Sequence, residues 1–579
     1  MRSTTGMENS NPSPLTAWVD GCNRIHPLIE QAISDHCLSN GTLDDLAGAA
    51  GIPLVCTTRP VVVITPLPRT RLIRYHVANP QSRSPRPTSP AGAEFEGGEH
   101  TAIGNSILLY FHRADPGTLA ARVPLTLPNG LRLTYGEIAA LGGDFYGIPD
   151  APISGGGTPA ERMMRFTDAY STLAINAGAV AEARQILDVM QIEIRAVNDA
   201  LAAGQPASSA YLALGDELSA RWNRITGGGS LISPWIPLGR YLQLALANWD
   251  HLGQQAIDSY VAGHTVAMQS AREAKTAGIS EQQRLLERSY AMNAFADHFL
   301  SDVFSAGHVR VPRSLCGTGR PSLMCCDVLR YMHDEDSHWG LNLENRTGSV
   351  RWHAYGDKRH FDTVNLANKN LVSAAVQRSV NEVFNAFNSG DIMPVPNMGA
   401  LETTPTPLGS DRDPNNEQSA GNISPLFALR NSEALRRSDL NDLNDYSWTN
   451  NWSVPSTLWL LRNRYLPSPP QHYLQPPATA PDVDPHGWQV SHAVPPNWVM
   501  GSQVRYAVSF VSQLYESEPG VWCNYVTVMD QAYPTLTGVP LGPAATRSRK
   551  IYRQFENGAY TYVGELPNNT ATTFVDSLP

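Results

Sequence analysis

Between residues 248 and 308 the chain carries Asp250 inside Asn-Trp-Asp-His, His264 behind Gly263, and then His298-x3-Asp302-x5-His308. Imidazole and carboxylate without thiolate is the ligand chemistry of hydrolytic zinc sites, which keep a coordination position open for water. His298 and Asp302, at i and i+4, fall side by side on one helical face. Phe295, Phe299, Leu300, Val303 and Phe304 form an apolar sleeve around them, and Gly307 marks a helix stop before His308. Asp250 and His264 are spaced by about four helical turns, which on one continuous helix would separate them by roughly 21 Å along its axis. A shared ion therefore requires residues 248–251 to form a loop or helix end that folds back, with His264 on the helix after it. Asp250, His264, His298, Asp302 and His308 together suggest a buried polynuclear zinc site.

Three phrases extend the pattern: residues 133–147, Leu-Thr-Tyr-Gly-Glu-Ile-Ala-Ala-Leu-Gly-Gly-Asp-Phe-Tyr-Gly; residues 294–310, around His298, Asp302 and His308; and residues 332–337, Met-His-Asp-Glu-Asp-Ser. In order and spacing they resemble the zinc-dependent phospholipase C and S1/P1 nuclease superfamily, most closely its bacterial Pseudomonas fluorescens and Legionella-type phospholipase C branch. The resemblance spans residues 132–362. It implies an all-helical catalytic domain holding Zn²⁺, two to three ions. On it, Asp250, His264, His298 and Asp302 form a first zinc set, with Asp302 bridging to another ion. His308 opens a second set with His333, whose acidic partner four residues on is replaced by Ser337. Asp336, on the same helical face at i+3, is the substitute, ahead of Glu335. The N-terminal Trp that holds the third ion in that family has no counterpart at the start of this chain. Glu137 and Asp144, about two turns apart, are the candidate replacement carboxylates. Asp250 doubles as candidate general base. Arg310 is a candidate phosphate partner, and Trp249, Phe145 and Tyr146, with Trp339, are candidates for lining a choline-sized pocket through cation–π contact. His338, His353 and His360 read as ordinary surface histidines.

The elements that must position these groups are amphipathic helices. Apolar residues recur at helical spacing through residues 159–204 and 234–307, and residues 364–387 read as another helix. Residues 394–444 are dense in Pro, Asn, Ser and Asp and read as a linker or surface excursion. Beyond them the period changes to two at residues 504–511 and 560–564, with Glu556-Asn557-Gly558 as a hairpin turn. The run 549–576 resembles fibronectin type III-like β-sandwich modules. The expected organisation is multidomain: residues 1–120 without an assigned role, a mainly α-helical catalytic domain at 121–393, an irregular connection at 394–490, and a C-terminal β-sandwich at 491–579.

With 43 basic against 53 acidic residues the formal charge is −10, which argues against a nucleic-acid binder because counterion release needs a basic footprint. Zwitterionic phospholipid carries no such penalty. The seven cysteines show no CxxC spacing; Cys316, Cys325 and Cys326 are placed for a local disulfide in an oxidising compartment. The first residues lack a signal-peptide core, and no apolar run is long enough to span a bilayer. The leading expectation is a secreted or effector zinc phospholipase C that meets phospholipid peripherally at a membrane surface. It would yield diacylglycerol and a phosphorylated headgroup, with surface or glycan contact through the β domain. The rivals are a P1-like zinc nuclease or nucleotidase and a non-catalytic surface-binding protein on the same scaffold.

Overall fold

The computed structural model describes residues 97–579, except 114, 215–216, 229–238, 248–249, 314–322, 410–417, 419, 431–432, 471–472, 491–500, 514, 528–531, 557, 559 and 579, together with short strands at 54–56 and 62–64. Trp249 and Cys316 lie outside the described residues, as does most of the region 1–96.

The helical unit is built from α1 (Gly97–Asn105), α2 (Tyr135–Leu141), α3 (Pro159–Ala174), α4 (Ala179–Ala202), α5 (Gly253–Thr276), α6 (Ile279–Asp302), α7 (Ala306–Val309), α8 (Leu323–Trp339) and α9 (Leu366–Ser389). Helices α5, α6 and α9 pack on one another at its centre. Their packed faces follow the helical period: Val372, Val376, Val380 and Val383 line α9, and Phe295 and Phe299 line α6, all buried in one core. Full burial of each such side chain stabilises by about 1.5–3 kcal/mol relative to exposure. Helix α2 starts with a capping box, Thr134 Oγ1 accepting from Glu137 N and Glu137 Oε2 accepting from Thr134 N at 3.2 and 2.7 Å. Glu137 is thus committed to the start of its own helix, and no cluster of metal-competent groups among the described residues includes it.

The region 394–490 is packed against the helical unit rather than strung between domains. Its strand β3 (Pro405–Pro407) adds to β1 (Leu341–Asn345), which pairs with β2 (Arg351–Ala354) in an antiparallel sheet. Leu426, Phe427, Leu458 and Leu461 pack on Val328, Leu329 and Met332 of α8. Arg437, fully buried, makes a paired contact with Glu335 of α8 through Nη1 and Nη2, both 2.8 Å. The Pro and Asn that suggested a linker mark the turns between short buried segments.

The C-terminal unit contains β4 (Asp482–Val490), β5 (Gln503–Val511), β6 (Val526–Thr527), β7 (Ala532–Thr537), β8 (Ser548–Phe555), β9 (Tyr560–Leu566) and β10 (Phe574–Val575). They form two antiparallel sheets, ordered β6-β5-β8-β9 and β4-β7-β10. Val504, Tyr506, Val508, Ile551 and Val563 of the first share a core with Leu536 of the second. The unit touches the helices directly: Gln554 Nε2 donates to Ala202 O at 3.0 Å, Tyr355 OH donates to Glu516 O at 3.0 Å, and Arg359 pairs with Glu518. Among the described residues no helix is long and apolar enough to cross a membrane.

Candidate metal centre

Helix α6 delivers His298 and Asp302 to one buried spot, as their i, i+4 spacing requires. Glycines deliver Asp144. Helix α2 ends at Gly142, and Gly143 turns the chain at φ +72°; a Cβ there would stand 2.6 Å from His298 Nε2 and 2.9 Å from His251 Cε1. That close approach in left-handed backbone is available to glycine. The turn before α5 supplies His251, α7 supplies His308, and α8 supplies His333. Asp357 follows β2, and His100 sits in the first turn of α1.

These side chains form three sets, the first two sharing His298: Asp144, His251 and His298; His100, His298 and Asp302; and His308, His333 and Asp357. In the first, His298 Nε2 lies 3.1 Å from His251 Nδ1 and 3.5 Å from Asp144 Oδ1. Asp302 stands between the sets. Its Oδ2 is 2.8 Å from His251 Nδ1 and 3.3 Å from His298 Nε2, and its Oδ1 is 3.4 Å from His100 Nε2 and 3.7 Å from His308 Nδ1. Asp357 Oδ2 is 3.3 Å from His308 Nε2 and 3.1 Å from His333 Nε2. Two ligand atoms on one tetrahedral zinc are separated by about 3.3 Å, given metal–ligand distances near 2.05 Å.

The tautomers sharpen this fit. His298 Nδ1 faces the Ala139 carbonyl at 2.9 Å and His308 Nδ1 faces the His251 carbonyl at 2.8 Å. A carbonyl only accepts, so each Nδ1 carries the proton. The Nε2 of neutral His298 then presents a lone pair, whereas His308, which burial lowers but the Asp357 and Asp302 charges raise above its ordinary pKa, has a protonated form that donates from Nε2 to Asp357. Ser301 Oγ spends its proton on the Asp297 and His298 carbonyls, so His100 Nδ1, 2.8 Å away, donates to it. His333 lies between two carboxylates, its Nδ1 3.1 Å from Asp334 Oδ1 and its Nε2 3.1 Å from Asp357 Oδ2. His298 and His100 therefore aim lone pairs at Asp302, an acceptor-to-acceptor arrangement that a cation between them reconciles, and His308 and His333 converge on Asp357. A ligating histidine that gives its other N–H to a carbonyl or carboxylate is the usual outer support of a metal site. Burial pushes His298 well below its ordinary pKa and lowers His100, which keeps both rings neutral. Since His298 has only Nε2 to offer, the first two sets compete for one ion at that atom.

Of the residues singled out by spacing, the structure brings together Asp144, His298, Asp302, His308 and His333 and places the others elsewhere. Asp250 accepts from Ile153 N, Ser154 N, Ser154 Oγ and Ser259 Oγ at 2.7, 2.8, 2.7 and 2.9 Å, anchoring a short 3-10 turn. His264 is wholly buried between Asn293 Oδ1 at 2.6 Å and Glu382 Oε2 at 2.8 Å, bridging α5, α6 and α9. Asp336 takes two hydrogen bonds from Arg310 at 2.9 and 2.7 Å, which also removes Arg310 from the role of phosphate partner. Phe145 is fully buried and stacked on Tyr241, and Tyr146 is fully buried beneath Arg240. Trp339 is also core, so none of these three aromatics lines a headgroup pocket. His353 and His360 are buried rather than on the surface.

His100, His251 and Asp357 were not picked out from the sequence. His251 directly follows Asp250 and faces the other way. Asp357 supplies the acid that the pattern after His333 lacks. A Cβ at Gly307 or Gly356 would meet Ser337 Oγ at 2.2 Å, so position 337 is wedged between two backbones and has no room for a longer acid.

A cavity of about 40 Å³, lined among others by Glu99, His100, Asp302, Asp357 and His360, adjoins the cluster. It has space for water. The least buried side chains at the site are Asp357 and Asp334, 15% and 16% exposed, so its open rim lies on their side. Compared with known proteins, the chain matches no family model and no curated protein sequence.

Proposed function

We propose that this chain is a zinc-dependent phosphodiester hydrolase of the phospholipase C kind. The observation that carries the metal reading is the convergence of His100 and His298, whose Nε2 lone pairs face the buried Asp302, and of His308 and His333 on Asp357. Bound there, Zn²⁺ would polarise phosphoryl oxygens and lower the pKa of a water towards neutrality. Asp144, His251, His298 and Asp302 would hold one ion, and His308, His333 and Asp357 another; His100 and Asp302 offer ligands to a third. The carboxylates bring negative charge, which favours divalent cations over a single proton. Asp250 keeps both oxygens in hydrogen bonds and is not the base of this mechanism. No side-chain nucleophile is required, and the rim at Asp357 and Asp334 is where a phosphodiester would approach.

The substrate class follows from the sequence resemblance: phosphatidylcholine-like lipid, cleaved on the glycerol side to diacylglycerol and phosphorylated headgroup. The formal charge of −10 favours a zwitterionic surface over nucleic acid. Cys325 is disulfide-bonded, which suits an oxidising, secreted setting. The two-sheet C-terminal unit is read as a fibronectin type III-like module available for surface or glycan contact. The test is release of phosphocholine from phosphatidylcholine vesicles against release of 5′-nucleotides from single-stranded DNA and RNA, each before and after chelation. Chelator-sensitive phosphocholine release supports the proposal. Nucleotide release alone would make the chain a nuclease, and no turnover of either by zinc-loaded protein would make it a binding protein.

A further inference from the structure

We infer that Glu99 is a positioning residue for the His308, His333 and Asp357 set, acting through the backbone of the loop that carries Asp357. The inference rests on the metal reading of that set. Glu99 lies in the first turn of α1, is 8% exposed, and reaches across to the loop after β2. Its Oε2 accepts from Lys358 N at 3.3 Å and its Oε1 from His360 N at 2.9 Å. One carboxylate thus fixes two amides immediately after Asp357. Between them Lys358 holds φ +72°, the only positive φ at a non-glycine among the described residues. A lysine has no local reason to adopt left-handed backbone, so the surrounding contacts must impose it.

The loop is held from the other side as well. Gly356 N donates to Ser337 O at 3.0 Å. Arg359 lies over the Tyr355 ring at 3.8 Å, donates through Nε to Asp362 at 3.0 Å and through Nη1 to His338 O at 3.0 Å, and pairs with Glu518 of the C-terminal unit. Glu99 approaches from the side of His100 and Asp302. Its neighbour His100 faces Asp302, so two consecutive residues of α1 serve the two halves of the centre. Without the clamp, Lys358 relaxes to negative φ and the Asp357 carboxylate swings off the axis it shares with His308 and His333.

The test uses the full chain and Zn²⁺, with affinities read by competition against a chelating indicator and ion counts by elemental mass spectrometry. His298→Ala and Asp357→Asn identify the two classes of ion. Glu99→Gln replaces one accepting oxygen by a donor and should weaken the Asp357 class by about 10–100-fold, the usual cost of losing an outer support, leaving the His298 class within about twofold of wild type. Lys358→Gly, which accepts φ +72° without penalty, should leave wild-type affinity unchanged and restore part of the loss in the Glu99→Gln background. That rescue is what a general folding defect would not produce. Equal loss of both classes, no loss, or no rescue by Lys358→Gly would overturn the inference. Should Glu99→Gln fail to fold, loss of the Asp357 class in Lys358→Gly alone would overturn it, and retained affinity would uphold it. Wild type that retains no Zn²⁺ would sink the metal reading itself, and the clamp with it.

Discussion

Asp250 and His251 are adjacent in sequence and opposite in assignment, so substituting each in turn separates spacing from geometry. Asp250 is half-buried and holds four donors, two of them backbone amides of the turn at Ile153–Gly155. Asp250→Asn keeps one accepting oxygen and turns an NH₂ towards the donors of the other. Oδ1 takes three of the four bonds and Oδ2 one, so with the amide oxygen at the Oδ1 position about one bond is lost, and hydrogen bonds to a charged group contribute roughly 1.5–3 kcal/mol each when buried. Partial exposure puts the expected loss of stability near the lower end, about 1.5 kcal/mol, with the ion count unchanged. His251→Ala removes an imidazole 2.8 Å from Asp302 Oδ2 and 3.1 Å from His298 Nε2. It should lose the His298-class ion while the chelated protein melts close to chelated wild type. The assays are denaturant unfolding of metal-free protein and elemental analysis after dialysis. Metal loss in Asp250→Asn without destabilisation, or full metal retention in His251→Ala, would refute the assignment.

Gly143→Ala should be poorly tolerated, because its Cβ would meet His298 and His251 in left-handed backbone; the readout is loss of zinc together with a lowered melting temperature. Glu335→Ala leaves the Arg437 guanidinium buried without its carboxylate and should cost about 3–5 kcal/mol in unfolding free energy, with the ion count per folded chain unchanged. Burial, helped by the Arg359 charge, pushes His338 down to about 3. The unfolded chain therefore binds a proton at this position between pH 6.5 and about 3 that the folded chain refuses. Stability from this group is complete above that window and falls as pH drops through it, by at most roughly 1.4 kcal/mol per unit. His338→Gln should flatten the fall between pH 6 and 5 in equilibrium unfolding, and an unchanged slope would contradict the assignment.

The helical architecture was legible because its periodicity is strong: Val372 to Val383 and Phe295 to Phe299 declare their faces without tertiary information. Residues 364–387 were read as a helix and α9 runs Leu366–Ser389. His298 and Asp302 were legible for the same reason, since i, i+4 is a local relation. His251, His100 and Asp357 were not, because their places depend on where two separate turns and a helix start meet in space. Asp250 and His264 misled because polar groups at helical spacing also serve as buried hydrogen-bonding pivots, as their partners Ser259, Asn293 and Glu382 show. The packed segment at 394–490 was hidden by composition: its buried residues, such as Leu426, Phe427 and Arg437, are few and widely spaced between polar turns.

The central claim is that these histidines and aspartates hold catalytic zinc. Elemental mass spectrometry on wild type and His298→Ala, paired with phosphocholine release before and after chelation, tests it most directly. The account predicts two to three Zn²⁺ per wild-type chain, and a fall in both zinc and activity in the variant. Active wild-type protein without zinc, or a His298→Ala variant that keeps both zinc and turnover, would contradict it.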